Sequence, residues 1–343
     1  MKKLLNTLFV TTQKAYLNHE GEVVVVRVAK EVKLKIPIHT LQSIICFDQV
    51  SCSPPLLGLC GRRGVHVAFF DRHGRFLARV QGPVSGNVLL RREQYRRADD
   101  PVASSGLARA MVSAKIANCR SVLLRSARER SDQAPERLGQ AARELDSALQ
   151  RLRDPTIALD SVRGVEGDAA RVYFEVFDDL VLVEKEAFAF RDRNRRPPLD
   201  NMNALLSFIY TLLTHDVASA LEGVGLDPAV GFLHRDRPGR PSLALDLMEE
   251  FRPFLGDRLA LSLVNLQQIR PKGFKKTETG AVRMDDETRR ALLVAYQKRK
   301  QEIIQHPFLD EKVAIGLLPH VQALLLARHL RGDLDGYPPF IWK

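Results

Sequence analysis

The chain has 343 residues, of which 45% are hydrophobic and 27% charged, and its formal net charge is +11. These values are typical of a folded protein large enough for two domains, and they exclude a disordered or low-complexity chain. The positive excess attracts polyanions, most often nucleic acid. No long basic amphipathic helix with an aromatic face supports binding to an anionic membrane instead.

The first residues, 1–5, begin like a signal peptide, with two lysines before an apolar pair. Asn6, Thr7, Thr11 and Thr12 interrupt the apolar run, however, and no small-residue cleavage site follows. No apolar stretch approaches the roughly 20 residues that cross a bilayer. We therefore expect a cytoplasmic protein without a membrane span.

The four cysteines are Cys46, Cys52, Cys60 and Cys119. They form no Cys-x-x-Cys pair, and a zinc site needs tighter spacing and more ligands. Free, mostly buried thiols in a reducing compartment are the expected state.

Short stretches with strand character fill the first 82 residues. β-branched and alternating residues separated by turn residues predict a small antiparallel sheet or sandwich, interrupted by one short helix over 54–62. The predicted strand segments are 9–12, 15–17, 23–28, 32–38, 43–47, 65–70 and 76–80.

From residue 83 onward the apolar residues recur with helical period. Ser242, after Pro241, is a candidate N-cap for one of these helices. The fold class is therefore α+β, with a β domain over 1–82 and a larger all-α domain over 83–343. The predicted helices span 106–129, 133–151, 203–221, 243–261, 285–305 and 319–330.

Two separated segments hold an ionisable group in a setting bounded by glycine. Glu166 lies between Gly164 and Gly167, and residues this small predict that neighbouring helices approach closely around its carboxylate. His234 ends the apolar run that begins at Gly231. Each has a plainer interpretation, since Glu166 could pair with a nearby arginine at the surface and an isolated histidine is often structural.

A third segment, 243–253, carries three acids on one predicted helix face. Asp246 is followed by Glu249 at i+3 and Glu250 at i+4, so their carboxylates repel. A helix face exposed to solvent tolerates this repulsion, and a bound cation would relieve it. Carboxylates with one imidazole would suit Mg²⁺ or Mn²⁺, which can activate a nucleophile at a phosphodiester. The residues alone favour a solvated face and do not join the three segments.

Basic clusters indicate what such a site would act on. The clusters lie at 91–97, 191–196 and 272–276, and each alone is most simply a solvated face. Together with the net charge of +11 they favour nucleic acid, because arginine and lysine pair with phosphates. The DNA-binding candidates are Arg193, Arg195, Arg196, Lys272, Lys275 and Lys276.

Four motifs in order resemble the family of CRISPR-associated protein one, the integrase and endonuclease that inserts new spacers. The resemblance covers nearly the whole chain, and the tail over 322–340 looks like the subtype I-C branch. The motifs are Arg-Gly-Val-Glu-Gly at 163–167, Arg-Pro-Pro at 196–198 with 203–210, Gly-Leu-Asp-Pro and Gly-Phe-Leu-His within 225–234, and the acidic segment 245–253.

The resemblance implies a dimerising N-terminal β domain and a helical catalytic domain. It also implies that Glu166, His234 and Glu249 bind Mg²⁺ or Mn²⁺, and that Asp246 is a further catalytic residue. Many relatives have aspartate where Glu249 stands. The implied reaction is phosphoryl transfer, in which a DNA 3′-hydroxyl attacks the repeat strand or water cleaves DNA.

The implied partners are double-stranded DNA, as prespacer and CRISPR repeat, and a second copy of the chain. Two such homodimers would flank a small second CRISPR-associated protein, forming a heterohexamer, with no membrane involved. Two alternatives stay open: a stand-alone metal-dependent nuclease acting on branched DNA, and a non-catalytic DNA-architectural protein.

Overall fold

The structure is a computed structural model that describes residues 7–41, 43–71, 76–80, 82, 88–129 and 134–342. The chain forms two compact units: Met1–Gly86 with Asp286–Glu302, and Asn87–Asp285 with Ile303–Lys343. The division lies near the predicted boundary after residue 82. The segment Asp286–Glu302 is grouped with the first unit, however, whereas the sequence analysis placed it in the helical domain.

Two four-stranded sheets form the first unit, in the orders β1-β5-β7-β8 and β4-β3-β2-β6. Contrary to the predicted antiparallel sheet, β1 with β5, β5 with β7, and β2 with β6 pair in parallel. The strands are β1 (Thr7–Val10), β2 (Tyr16–Glu20), β3 (Val23–Val28), β4 (Glu31–Pro37), β5 (Ser43–Phe47), β6 (Ser51–Cys52), β7 (His66–Phe70) and β8 (Phe76–Val80).

Helix α1 (Pro54–Arg63) supplies the crossover that the parallel pair β5 and β7 requires. The Ser53 side chain accepts a hydrogen bond from the Leu56 amide at 3.3 Å and caps the start of α1. Gly64 ends it in the left-handed conformation, with φ of 66°. The first unit also contains α9 (Asp286–Gln301), where the sequence predicted a helix continuing to residue 305.

The second unit is mainly helical. Two short hairpins, β9 (Phe274–Lys276) with β10 (Val282–Met284) and β11 (Ile303–Gln305) with β12 (Lys312–Ala314), accompany the helices. The predicted α+β class, with a β region before a helical one, is confirmed. The helices are α2 (Val88–Asp99), α3 (Pro101–Arg128), α4 (Ala134–Arg151), α5 (Leu159–Glu175), α6 (Asn201–Val224), α7 (Ser242–Met248), α8 (Arg258–Asn265) and α10 (Leu318–Leu330).

The helix predicted over 243–261 is interrupted. Helix α7 ends at Met248, and a π-helical turn at Arg252–Asp257 leads to α8. Pro253 has no N–H group for the carbonyl four residues earlier, so the α-helical pattern cannot continue through it. Ser242 is the first residue of α7 and makes no capping bond, so the predicted N-cap is wrong.

Helix α6 is the one described helix that is long and apolar enough to cross a membrane by length and composition. However, 61% of its apolar window is buried inside the fold, as in the core helix of a globular unit. Such a helix alone is weak evidence for a membrane span. The sequence analysis expected no apolar stretch of this length.

Candidate active site

Glu166 lies on α5 and lines a cleft of about 500 Å³, which His234 also lines. The flanking glycines do not serve the predicted purpose, because a Cβ at Gly164 or Gly167 would meet no atom within 4 Å. Gly164 instead lines the cleft and leaves its wall without a side chain. The Glu166 side chain is 26% exposed, which leaves its carboxylate accessible.

Asp246 is fully buried in α7 and holds the segment that carries His234. Its carboxylate accepts hydrogen bonds from the backbone amides of Phe232, Leu233 and His234 at 2.6, 2.9 and 2.9 Å. It also binds Nδ1 of the His234 ring at 2.6 Å. The ring orientation is thereby set, and Nε2 is left as the nitrogen that can bind a metal.

Gly231 makes this arrangement possible by close approach. A Cβ at position 231 would lie 2.7 Å from Asp246 Oδ2 and 2.8 Å from the Ser242 carbonyl carbon. Real Cβ atoms do not approach other atoms so closely, so only glycine lets the chain pass the start of α7 at this position.

Glu249 is buried directly after α7, with a side chain only 2% exposed. Its Oε2 lies 2.7 Å from Lys115 Nζ, and its Oε1 lies 2.9 Å from Arg252 Nη1. Lys115 also pairs with Glu166. The Lys115 ammonium, on α3, therefore joins the two acidic segments that the sequence alone could not connect.

The charges around Glu249 decide its ionisation. Burial opposes the charged form, but Arg252, Lys115 and His234 outweigh that cost and lower the pKa of Glu249 to about 2. The carboxylate is thus ionised at neutral pH although it is shielded from water. An ionised, buried acid is ready to bind a cation.

Glu250 does not share this environment. Because α7 ends at Met248, the predicted i+4 relation to Asp246 is lost, and Glu250 instead accepts bonds from the Tyr337 hydroxyl at 2.6 Å and the Phe340 amide at 2.8 Å. Burial raises its pKa to about 8. Glu250 anchors the C-terminal segment and takes no part in the cleft.

The described residues contain no group of three His, Cys, Asp or Glu side chains already arranged to hold a metal ion. The donor chemistry nevertheless fits a hard divalent cation. Glu166 and Glu249 both contact one cation, the Lys115 ammonium, while Glu166 and His234 line the same cleft. Two carboxylates and one imidazole are ligands that Mg²⁺ or Mn²⁺ accepts.

Four arginines line the cleft, and the sequence analysis named only one of them, Arg163, as part of a motif. Arg235 and Arg237 are exposed, Arg240 is half-buried, and all three line the cleft with Arg163. Arg163 donates to the Leu233 carbonyl at 2.6 Å, so it also ties α5 to the His234 segment. The signal that could have found them is three arginines within six residues directly after His234.

The predicted basic loops contribute no lining residue to this cleft, although Arg195 and Arg196 are close enough to act electrostatically on Arg240. Arg193 differs from the expected exposed loop residue, since its guanidinium donates to Asn203 at 2.6 Å and to Ser207 at 3.1 Å. The Arg193 guanidinium is therefore bonded to other residues of the fold. The exposed members of the predicted set are Arg195, Arg196, Lys272, Lys275 and Lys276.

Comparison with known proteins identifies the family. Residues 8–298 match the family model described as CRISPR associated protein Cas1. The chain belongs to the Cas1 family. The resemblance found in the sequence motifs is thereby confirmed at the level of the Cas1 family, whereas the subtype I-C assignment stays a prediction.

Curated Cas1 relatives match along the whole chain. CRISPR-associated endonuclease Cas1 1 of Chlorobaculum tepidum is 56% identical over 344 residues, covering 100% of both chains. CRISPR-associated endonuclease Cas1 2 of Rhodospirillum rubrum is 50% identical over 347 residues, again covering 100% of both. No part of these relatives lies outside the aligned region.

Solved structures share the fold. A CAS1 protein from Thermotoga maritima superimposes with a TM-score of 0.80 at 24% identity, covering 95% of this chain and 97% of that one. A casposase bound to its integration product gives a TM-score of 0.81 at 21% identity, covering 99% and 94%. At such identities the likeness concerns the Cas1 fold alone.

Proposed function

We propose that this protein is a metal-dependent DNA endonuclease and integrase that inserts new spacers into a CRISPR array. The observation that carries the proposal is that Glu166 and His234 line one cleft together with four arginines. The buried Glu249 is joined to Glu166 through the Lys115 ammonium. The Cas1 relatives named as CRISPR-associated endonucleases point to the same chemistry.

Each group has a role that follows from its contacts. Glu166, Glu249 and His234 Nε2 would hold Mg²⁺ or Mn²⁺, and the bound ion would polarise the phosphodiester and lower the pKa of the attacking hydroxyl or water. Asp246 fixes the His234 ring through Nδ1, which makes it a positioning residue. Arg252 neutralises part of the Glu249 charge and stays over the Tyr210 ring, 4.9 Å from its centroid.

The proposed partners are double-stranded DNA, a second copy of the chain and a small second CRISPR-associated protein, at a cytoplasmic location. The net charge of +11 and the arginine-lined cleft support DNA. A neighbour of the same fold is described as a Cas6-RT-Cas1–Cas2 complex, with a TM-score of 0.83 at 23% identity over 100% of this chain and 36% of that one. That neighbour is consistent with the proposed small partner.

A supercoiled plasmid carrying a CRISPR repeat, incubated with Mn²⁺ and short donor duplexes, tests the proposal. Integration joins a donor 3′-hydroxyl to the repeat strand, so products should contain labelled donor and should disappear with a 3′-deoxy donor. A stand-alone nuclease would cut without joining donor. A DNA-architectural protein would leave the plasmid unchanged at every Mn²⁺ concentration.

Asp246→Asn should reduce strand transfer and Mn²⁺ affinity by about 10–100-fold. In the wild type both Asp246 oxygens accept hydrogen bonds, from backbone amides and from the His234 ring. Asparagine replaces one of these acceptors by an NH₂ donor, so the His234 ring loses its fixed orientation. Steady-state integration and Mn²⁺ titration measure the effect. Asp168→Asn, an exposed change on α5, is the matched control and should leave both unchanged; equal behaviour of the two variants would contradict the role given to Asp246.

Replacing Arg235, Arg237 and Arg240 together by alanine should weaken DNA binding and lower its salt dependence. If each pairs with one phosphate, the slope of log affinity against log salt becomes shallower by about 2–3. Fluorescence anisotropy at several salt concentrations measures the slope. The triple change of Lys272, Lys275 and Lys276 is the comparison, and an unchanged slope for the arginine variant would exclude the cleft as a phosphate site.

A further inference from the structure

Lys115 is a buried cation on a mostly apolar face of α3. Its side chain is 9% exposed, and the face that carries it packs inside the second unit. A lysine in such a position needs negative partners, because burying an unpaired ammonium costs several kcal/mol. The other buried residues of the same stripe are Ser104, Ala108, Met111, Val112, Asn118, Cys119 and Val122.

The partners of Lys115 are two of the three proposed metal ligands. Its Nζ pairs with Glu166 Oε1 and lies 2.7 Å from Glu249 Oε2. Among the described residues these are the only ion pairs that the ammonium makes. Lys115 therefore already relieves the repulsion between the Glu166 and Glu249 carboxylates, as a bound divalent ion would.

Arg252 and Lys115 divide the carboxylate of Glu249 between them. The Arg252 guanidinium lies 2.9 Å from Oε1 and over the Tyr210 ring, whereas the Lys115 ammonium, which also pairs with Glu166, lies 2.7 Å from Oε2. An incoming cation that bridges Glu166 and Glu249 would thus meet Lys115 and leave Arg252 in place. Glu249 would keep one counter-charge throughout.

We infer that Lys115 is an internal counter-cation that competes with the divalent metal for Glu166 and Glu249. In the metal-free protein it holds the two carboxylates together, and metal binding must displace its ammonium. The inference rests on the proposed metal-dependent function. It makes Lys115 a positioning residue that sets the metal concentration at which the site loads.

Lys115→Met tests the inference, since methionine retains the apolar stem and removes the charge. Without metal, the carboxylates lose their shared cation, and the melting temperature should fall by about 5–10 °C. Loss of a unit positive charge beside the site should tighten Mn²⁺ binding by at least about tenfold. Saturating Mn²⁺ should then raise the melting temperature of the variant more than that of the wild type.

The measurements are Mn²⁺ titration by calorimetry and melting curves over a range of Mn²⁺, neither of which requires catalysis. Lys115→Gln is a second variant that removes the charge but keeps a hydrogen-bond donor, and it should also bind Mn²⁺ more tightly. Lys300→Met is the matched control, because Lys300 is also a buried lysine but belongs to the first unit, whereas both carboxylates belong to the second. Its Mn²⁺ affinity should equal that of the wild type.

Two outcomes would overturn the inference, and they are distinguishable. Wild-type binding of Mn²⁺ together with equal or weaker binding by both Lys115 variants would show that Lys115 does not compete with metal. Absence of Mn²⁺ binding in wild type and variants alike would instead refute the metal-dependent function itself, and the inference with it.

Discussion

Glu166→Ala and His234→Ala should each reduce strand transfer by at least about 10³-fold while leaving DNA affinity largely unchanged. Each substitution removes a ligand of the proposed ion, and such an ion supplies several kcal/mol of stabilisation to the charge that develops at phosphorus. The proposed phosphate contacts are the arginines that line the cleft, which neither change removes. Single-turnover integration with labelled donor and anisotropy with the same duplex measure the two quantities separately.

The control for Glu166 lies two residues away on the same helix. Asp168 is exposed and makes only a surface pair with Arg151 at 3.4 Å, so Asp168→Ala should integrate like the wild type. Both site residues are partly exposed, with side chains 26% and 21% accessible, so neither alanine variant should unfold. Full strand transfer by Glu166→Ala or His234→Ala would refute the site assignment.

Glu249→Ala has the largest expected effect on stability, lowering the free energy of unfolding by about 3–5 kcal/mol. The change deprives two buried cations, Lys115 and Arg252, of a shared partner that the fold holds ionised. It should abolish integration as well. Urea denaturation at neutral pH, followed by circular dichroism, measures the loss.

Two further variants separate this buried pair from an ordinary surface pair. Glu175→Ala breaks the exposed pair with Arg171 and should change the free energy of unfolding by less than about 1 kcal/mol. The double variant Glu249→Met with Lys115→Met should be more stable than Glu249→Ala, because it also removes one of the two buried cations that lose the Glu249 carboxylate. Equal losses for Glu175→Ala and Glu249→Ala would contradict the buried, ionised state assigned to Glu249.

Local sequence signals were sufficient for most of the fold. The runs of β-branched residues at Val23–Val28 and Ser43–Phe47 are strands with the predicted bounds. Parallel pairing was not predictable, because pairing partners are chosen by tertiary packing and not by local propensity. The break after Met248 was missed because the apolar period continues through Pro253, although proline cannot continue the hydrogen bonding.

For the site, motif resemblance named Glu166, His234 and Glu249, and the fold shows how two of them meet. The connection runs through Lys115, which the sequence analysis passed over as part of a helix. A single lysine within a buried stripe of α3 was the available signal, since such a cation must find acids elsewhere in the chain. Helical periodicity cannot predict which acids the lysine pairs with, because that depends on the tertiary structure.

The most direct test of the metal site is the anomalous scattering of a crystal soaked in Mn²⁺, collected for the wild type and for Glu166→Ala. We predict a strong peak between Glu166, Glu249 and the His234 ring in the wild type, with the Lys115 ammonium moved away from the two carboxylates, and no peak in the variant. A wild-type crystal that binds Mn²⁺ elsewhere, with Lys115 still joining Glu166 and Glu249, would contradict the proposed catalytic centre.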